Sequence, residues 1–188
     1  MLKWYTGSRQ ITICLGHANI IKYTGRPFKD LKDMENTIIK NHNSRVGPDD
    51  TVFFLGDFCF KNSAGGKKGE GTLNKAEHYI KQLNGRFIFI KGNHDNNNSL
   101  KTIINHMVIE HGGYKMFLVH DPKDMDKKYK INLVGHVHEK WKFDRRNGSD
   151  LINVGCDQWG FKPVNIAEIM KEYMKYKKGE KDGRKNEP

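Results

Sequence analysis

Side chains that could bind metal ions follow four apolar runs of the sequence, each at the point where the run ends. They are Asp57; Asn93, His94 and Asp95; His120; and His136 with His138. Carboxylate oxygen, amide oxygen and neutral imidazole nitrogen together suit Mn, Fe, Zn or Ni. Because two such ions about 4 Å apart can share one bridging carboxylate, the pattern predicts a metal site in which Asp57 is the bridge.

The apolar runs predict the strands that position these side chains, since they are rich in β-branched and aromatic residues. Ligands of an open α/β sheet bind beyond the carboxyl ends of its strands. We therefore expect the four strands to deliver their polar side chains to one edge. The strands are expected at residues 51–55, 87–90, 116–119 and 131–134, with weaker candidates at 10–13 and 151–154.

Apolar residues at helical spacing separate the predicted strands. Alternating strands and helices favour a layered α/β domain. Residues 108–110 and 116–119 flank His111-Gly112-Gly113, which predicts a hairpin and therefore a mixed sheet. The helical patterns cover 31–39, 73–83 and 166–173, and Ser99 could cap a short additional helix. The glycine- and lysine-rich segment 61–71 predicts a loop, interpreted as an ordinary insertion in preference to a lid over substrate.

Each histidine taken alone is more often an ordinary polar residue than a metal ligand. His136 and His138 would face opposite sides of a straight strand, so the chain must bend for both to reach one site. The run Gly92-Asn93-His94-Asp95 is a stronger signal, and the four groups together favour the metal site. The remaining histidines without such neighbours, interpreted as ordinary, are His42, His78, His106 and His111.

The length of 188 residues fits one domain. We assign residues 1–178 to that domain and 179–188 to a basic, disordered tail. The formal charge of +11 would attract polyanions such as nucleic acid or phosphorylated metabolites, but the preferred interpretation is that much of it is solvated charge, as in the lysine-rich C-terminal segment. No apolar run is long enough to span a membrane and the first residues lack the layout of a secretory signal, so the predicted location is cytoplasmic, with reduced cysteines. No oligomeric state is predicted.

Four motifs, in this order and at this spacing, resemble the calcineurin-like metallophosphoesterase superfamily. They are Gly56-Asp57, Gly92-Asn93-His94-Asp95, His120 and Gly135-His136-Val137-His138. Segments 16–21, 26–28 and 153–157 resemble a small bacterial and phage branch of that superfamily. The resemblance implies a layered α/β/β/α sandwich with mixed sheets and a binuclear metal site.

The resemblance also implies a role for each motif residue. Asp57 would bridge two divalent ions, manganese being expected before zinc, iron or nickel. The second ion would be held by Asn93, His120 and His136, and the first by His138. His94 would be the catalytic histidine, with Asp95 orienting its ring, while a metal-bound hydroxide attacks phosphorus. Two further residues, His17 and Arg26, could contact a substrate phosphate, or could equally pack within their loop.

The superfamily begins with an Asp-x-His pair that binds the first ion, and this pair is not found here. Thr12 and Cys14 occupy the corresponding positions. The segment before Leu15 could be altered, leaving the first ion weakly held or absent. Alternatively, Cys14 could bind zinc as a thiolate, or the printed start could differ from the native reading frame. All three explanations stay open.

The predicted function is metal-dependent hydrolysis of phosphate esters, phosphodiesters before monoesters, by an enzyme whose first metal site is doubtful. The alternative is a catalytically weak member that binds a phosphorylated ligand or nucleic acid. The expected partner is accordingly a phosphate-ester substrate, such as a nucleotide or a nucleic acid, and no membrane.

Restoring the superfamily's first ligand pair should raise phosphodiesterase turnover. In the double change Thr12→Asp with Cys14→His, the first ion gains a carboxylate and an imidazole ligand. Hydrolysis of a chromogenic phosphodiester in excess manganese measures the effect, and each single change serves as its control. An unchanged rate in the double variant would contradict the placement of Thr12 and Cys14.

Overall fold

A computed structural model describes residues 9–11, 15–60, 74–95 and 100–185, of which 9–11 and 180–185 are described by their backbone alone. Several sequence predictions therefore lie outside the described residues. They are the replacement of the first ligand pair by Thr12 and Cys14, the loop at 61–71 and the cap at Ser99.

The described residues form nine strands and four α-helices. The strands are β1 (Arg9–Ile11), β2 (Thr51–Leu55), β3 (Arg86–Ile90), β4 (His106–His111), β5 (Tyr114–Val119), β6 (Ile131–Val134), β7 (Phe143–Arg146), β8 (Ser149–Asn153) and β9 (Val164–Asn165). The helices are α1 (Ile20–Tyr23), α2 (Leu31–Asn43), α3 (Ala76–Ile80) and α4 (Ile166–Lys185). Two short 3-10 helices cover Pro122–Asp124 and Cys156–Trp159.

The strands assemble into two sheets, with the orders β3-β2-β1-β9 and β4-β5-β6-β8-β7. The first sheet is parallel except for the pairing of β1 with β9. In the second sheet β5, β6 and β8 are parallel, while β4 and β7 are antiparallel edge strands. The predicted layered α/β sandwich with mixed sheets and the predicted β4–β5 hairpin are therefore confirmed.

The core is built from strands that bury both faces. In β2, Val52 and Phe54 face a cluster with α2 and α3, whereas Phe53 and Leu55 face the second sheet. This alternation follows from the period of two along a strand. The outer face of the second sheet carries a smaller cluster around Phe117, next to the 3-10 helix at 122–124. A strand apolar on both faces must be sandwiched, so the four apolar runs lie between layers.

The structure differs from the sequence predictions at weakly patterned segments. The helical pattern expected over 73–83 is a helix only at α3, because residues 82 and 83 close with i to i−3 hydrogen bonds instead. Strands β7 and β9 were not predicted, since Phe143–Arg146 is largely polar and Val164–Asn165 has two residues. The helix α4 follows Pro163 as expected and extends to Lys185.

No helix within the described residues combines the length and the apolar composition that crossing a membrane requires.

Candidate metal centre

The loops that follow β2, β3, β5 and β6 bring four predicted ligands to one point where the two sheets meet. The Nε2 atom of His120 lies 2.9 Å from Asn93 Oδ1, 3.2 Å from Asp57 Oδ2 and 3.2 Å from His136 Nδ1. Asp57 and His120 are buried, and His136 is half-buried. The sequence predicted one edge of one sheet, whereas the site draws two loops from each sheet.

The tautomer of His120 is fixed by the backbone behind it. Its Nδ1 atom lies 2.7 Å from the carbonyl oxygen of Leu55, at the end of β2. A carbonyl oxygen only accepts hydrogen bonds, so Nδ1 carries the hydrogen and donates it. The Nε2 atom of the neutral ring is left as a lone pair directed toward the other ligands, which is the arrangement typical of a metal-binding histidine.

The atoms around His120 Nε2 fit a cation. In the neutral ring that nitrogen faces a carboxylate oxygen and an amide oxygen without a hydrogen to share. A divalent ion at about 2.0–2.2 Å from each donor sets neighbouring ligands roughly 2.8–3.6 Å apart, and the distances of 2.9, 3.2 and 3.2 Å found here lie in that range. In the metal-free protein, burial lowers the pKa of His120, but the hydrogen bond and charge of Asp57 outweigh burial and raise it above its ordinary value.

The contact between His120 and Asp57 also affects the carboxyl group of Asp57. Burial alone would raise the pKa of Asp57, but the hydrogen bond and charge of His120, with the backbone N–H of His94, lower it below its ordinary value. The His94 amide donates to Asp57 Oδ1 over 2.9 Å. One carboxylate oxygen is thus held by the loop after β3, while the other faces His120.

Glycines at positions 56 and 92 allow the loops to approach this closely. A Cβ atom on Gly92 would lie 2.3 Å from both the amide nitrogen and Oδ1 of Asp57. A Cβ atom on Gly56, whose φ is +79°, would lie 2.4 Å from His120 Nδ1. Heavy atoms that are not bonded cannot come so near, so both positions require glycine.

Three predicted ligands adopt a backbone conformation that is costly for residues other than glycine. The φ angles are 51° at Asp57, 65° at His136 and 44° at His138. Such residues cost of order 1–3 kcal/mol each and cluster at functional sites. The turns at His136 and His138 also explain how alternate residues after β6 leave the straight-strand geometry, as the sequence prediction required.

The carboxylate of Asp95 ties the loops after β2 and β3 together. It accepts hydrogen bonds from the backbone N–H groups of Asp57 (3.0 Å), Phe58 (3.1 Å) and Gly92 (2.8 Å). Asp95 is 2% exposed, and a carboxylate with several backbone donors is well compensated for burial. Asp95 therefore stabilises the two loops. That it orients the His94 ring stays a prediction.

His138 is supported by Asp157, a residue to which sequence reasoning assigned no role. Its Nδ1 atom lies 3.6 Å from Asp157 Oδ2, and Asp157 is gripped by the Arg26 guanidinium through two contacts of 2.8 Å. Burial would raise the pKa of Asp157, but His138 and Arg26 lower it well below its ordinary range. A carboxylate behind a histidine commonly orients a metal ligand.

Arg26 is buried, which favours the alternative that it packs within the protein, and its predicted contact with a substrate phosphate stays a prediction. Its side chain is 1% exposed and forms its bidentate pair with Asp157 in the interior. The residue therefore acts through Asp157 and His138. The sequence signal for this pair was the likeness of segments 26–28 and 153–157 to one branch of the superfamily, which did not specify their contact across 131 positions.

The backbone of His138 is fixed from the next loop. Its carbonyl oxygen accepts hydrogen bonds from Asn153 Nδ2 (2.8 Å) and Gln158 Nε2 (3.0 Å). The Asn153 amide also reaches the carbonyl oxygen of Trp141 and the amide of Gly155. Asn153 is fully buried, and the hydrogen bonds of this polar network hold the strained turn at His138 in place.

His17 and His94 border the centre from the other side. His17 Nδ1 accepts the backbone N–H of Ile20 over 3.2 Å, and its ring packs against Phe60 at 4.5 Å. Burial, and then electrostatic interactions with His94, Arg26 and His138, lower the pKa of His17 to about 4. His17 is therefore a neutral ring whose Nε2–H is a donor. The His94 ring contacts Phe60 edge-on at 5.4 Å.

An open cleft of about 350 Å³ adjoins the ligands and is lined by Asn93, His120, His106 and Lys123. Lys123 pairs with Asp121 at 2.9 Å, and Asp121 Oδ2 lies 3.8 Å from His136 Nε2. Burial would raise the pKa of Asp121, but its hydrogen bonds with Lys123 and the charge of His136 lower it. The cleft gives a ligand direct access to the proposed second-ion donors.

The structure thus brings Asp57, Asn93, His120 and His136 together. Within the residues it describes, a single group of His, Cys, Asp and Glu side chains has metal-binding spacing, namely Asp57, His120 and His136. His138 lies beside Asp157. Among the described residues, Asp57 is the other ligand that the resemblance implies for the ion held by His138.

The sequence is similar to an uncharacterized archaeal protein. MJ1445 of Methanocaldococcus jannaschii is 38% identical over 165 residues, which cover 82% of this chain and 84% of that protein. The chain belongs to the MJ1445 family. The Gene 66 protein of Mycobacterium phage L5 is 28% identical and the alignment covers 84% of this chain and 87% of that protein. No protein-family model matches the sequence.

A solved structure shares the fold of this MJ1445-family chain. It is that of AQ665 from Aquifex aeolicus, a protein of unknown function, with a TM-score of 0.59 at 26% identity over 87% of this chain and 98% of AQ665. Weaker similarity, with TM-scores of 0.37–0.43, extends to Vps29 from several organisms, a predicted phosphoesterase and an archaeal phosphodiesterase. The similarity to AQ665 shows that this fold also occurs outside this chain.

Gly92→Ala should abolish tight metal binding by this member of the MJ1445 family. The added Cβ collides with Asp57, so the Asp57 loop must move away from His120. We expect manganese affinity to fall by at least about tenfold, the equivalent of about 1.4 kcal/mol, in calorimetric titration. Gly47→Ala is the matched control, because its nearest contact would be an ordinary 3.8 Å. Equal affinities in the two variants would argue against the close approach.

Metal affinity should rise with pH through the raised pKa of His120. Metal and proton compete for Nε2, so binding weakens roughly tenfold per pH unit once His120 is mainly protonated. Because the pKa of His120 lies above its ordinary value, affinity should still be increasing above pH ~6.5. Titrations from acidic to mildly alkaline pH measure the profile, with His111→Gln as control. A flat profile would refute His120 as a ligand.

Proposed function

We propose that this protein is a metal-dependent phosphoesterase that hydrolyses phosphodiesters in preference to monoesters. The observation that supports it most directly is the convergence of Asp57, Asn93, His120 and His136 on one point. These are the donors that the calcineurin-like resemblance implies for the second ion. A bound divalent ion would polarise phosphoryl oxygens and lower the pKa of a water molecule to near neutrality.

Backbone groups of the protein orient the side chains that would bind that ion. His120 offers Nε2 because its Nδ1–H is engaged with Leu55, and Asp57 is held by the His94 amide. His94 is the proposed proton donor to the leaving oxygen, because an imidazole has the intrinsic pKa for proton transfer near neutrality. The contact of its ring with Phe60 and the hydrogen bond from its backbone N–H to Asp57 support this role.

The first ion would lie on the His138 side of Asp57. Asp157 faces His138 Nδ1, which leaves Nε2 as the ligand atom. The binuclear site, manganese as its preferred metal, and zinc, iron or nickel as substitutes are part of the proposal. If Thr12 and Cys14 replace the usual ligand pair, this ion is held weakly and turnover is reduced.

The substrate is proposed to be a phosphodiester of a nucleotide or nucleic acid, acted on in the cytoplasm. A diester carries one negative charge where a monoester carries up to two, so a centre with one weak cation site suits the diester better. His17 contributes a neutral N–H donor beside His94 and His138, which supports its predicted contact with a substrate phosphate.

Hydrolysis of bis(p-nitrophenyl) phosphate by the manganese-loaded protein tests the proposal, with p-nitrophenyl phosphate as the competing monoester. His94→Ala should lower turnover by roughly 10²–10⁴-fold without changing metal content, as expected for a lost general acid. Asp57→Asn should lower both turnover and metal content. His78→Ala, on the exposed face of α3, is the histidine control and should match the parent protein.

Two results would reject the enzyme. One is the absence of turnover in protein shown by elemental analysis to hold manganese, zinc, iron or nickel. The other is turnover that survives His94→Ala and Asp57→Asn unchanged. Metal-loaded protein that binds a diester without cleaving it would favour the alternative, a catalytically weak member that binds phosphorylated ligands.

A further inference from the structure

A second cleft lies apart from the metal centre and shares no lining residue with the cleft beside it. Its volume is about 500 Å³, within the usual range of small-molecule sites of roughly 300–1,000 Å³. The beginning of α4, the loop before β9 and the segment before β7 supply most of its walls. Its charged lining residues are Arg45, Lys142, Lys162, Lys171, Glu168 and Glu172.

The positive charges of this cleft exceed what its carboxylates neutralise. Glu168 is paired with Arg45 at 3.1 Å, and Glu172 with Lys175 at 2.7 Å. The other three cations, Lys142, Lys162 and Lys171, have no carboxylate within ion-pair distance among the residues that the structure describes, although the charges of Lys142 and Lys171 contribute, after that of Lys175, to lowering the pKa of Glu172. Four basic side chains against two carboxylates leave the cleft with excess positive charge, which creates a local positive potential that favours an anion.

One of these ammonium groups is held in place. Lys142 Nζ lies 3.9 Å from the centroid of the Trp159 ring, a cation–π contact. The Trp159 indole is itself fixed, because its Nε1–H donates to the carbonyl oxygen of Asn153 over 2.8 Å. An ordered cation beside an ordered aromatic ring loses less conformational entropy on binding than a free lysine would.

The loop that forms one wall of the cleft is conformationally strained. Gly160 and Phe161 have φ angles of 62° and 56° in succession. The other non-glycine residues with positive φ are the three ligands of the metal centre and Asn147, which precedes Gly148 in the β7–β8 turn. Gly160 and Phe161 form the turn that ends the 3-10 helix Cys156–Trp159, and the Phe161 N–H donates to the carbonyl oxygen of Cys156 over 2.8 Å, so this wall of the cleft is held by its own backbone.

We propose that this cleft binds the phosphate groups of a nucleotide, either free or within a single strand. The lysines supply the charge, and the part of the Trp159 indole that Lys142 does not cover supplies an aromatic surface of the kind on which bases stack. The volume exceeds that of a phosphate ion and accommodates a nucleotide unit. The site does not depend on the proposed hydrolysis, since none of its lining residues is a predicted metal ligand.

Fluorescence anisotropy of a labelled single-stranded oligonucleotide tests the proposal, in chelator, so that the metal centre is not engaged. Lys142→Glu with Lys171→Glu should weaken binding on the order of tenfold and reduce the slope of log affinity against log salt by about 1 per lost phosphate contact. Lys32→Glu with Lys115→Glu changes the net charge equally at exposed positions elsewhere and should have less than about a twofold effect.

A fluorescent mononucleotide distinguishes the two sources of the ligand. If it binds and loses affinity in the Lys142/Lys171 variant, the site takes free nucleotides; if only the oligonucleotide does so, the site takes a strand.

Asp57→Asn should bind both probes like the parent, so a failed hydrolase assay leaves this result intact. Equal losses in both charge variants, no binding of either probe, or loss of binding in Asp57→Asn would overturn the proposal. Trp159→Leu, checked for folding by thermal melting, should also weaken binding.

Discussion

The hydrogen bond from the His120 ring to the Leu55 carbonyl oxygen is the interaction on which the metal centre depends. It joins the second sheet to the end of β2 in the first, and it determines which nitrogen of His120 faces Asp57. The ring can approach the backbone only because position 56 carries no Cβ. Asp57, Asn93 and His136 are then arranged around the same Nε2 atom. Without this contact the two sheets would still pack through their apolar faces, but their polar loops would have no fixed relation.

Much of this arrangement could be predicted from the sequence because strand ends carry both a hydrophobic and a chemical signal. The buried runs at β2 and β6 matched their predicted bounds, and the polar residues that follow them lie together. The supporting contacts could not be predicted in the same way. Arg26 and Asp157 are far apart in sequence, and neither position reveals that an internal ion pair would keep Arg26 from the surface. The hydrogen bonds that Asp95 accepts from three backbone N–H groups likewise depend on loop geometry, which residue types alone do not reveal.

The high positive charge of the chain acquires a more specific meaning in the structure. At the metal centre the charged side chains are mutually compensated, as Asp57 with His120 and Asp157 with Arg26. In the second cleft four basic side chains face only two carboxylates. Gln158 lines that cleft and also donates to the carbonyl oxygen of His138. The two regions are therefore connected by one side chain, so a bound nucleotide would lie next to a residue that holds the strained turn of a proposed ligand.

The amide contacts of Asp95 have a consequence for how the centre is assembled. The hydrogen bonds of Asp95 join the loops after β2 and β3 through protein groups alone, so the relative position of these two loops does not require an ion to fix it. Zinc fingers behave in the opposite way, because their chains fold only around the metal. Here most of the ordering entropy is lost during folding itself, which leaves ion uptake as a small local event. A cell could therefore exchange one metal for another in this protein without unfolding and refolding it.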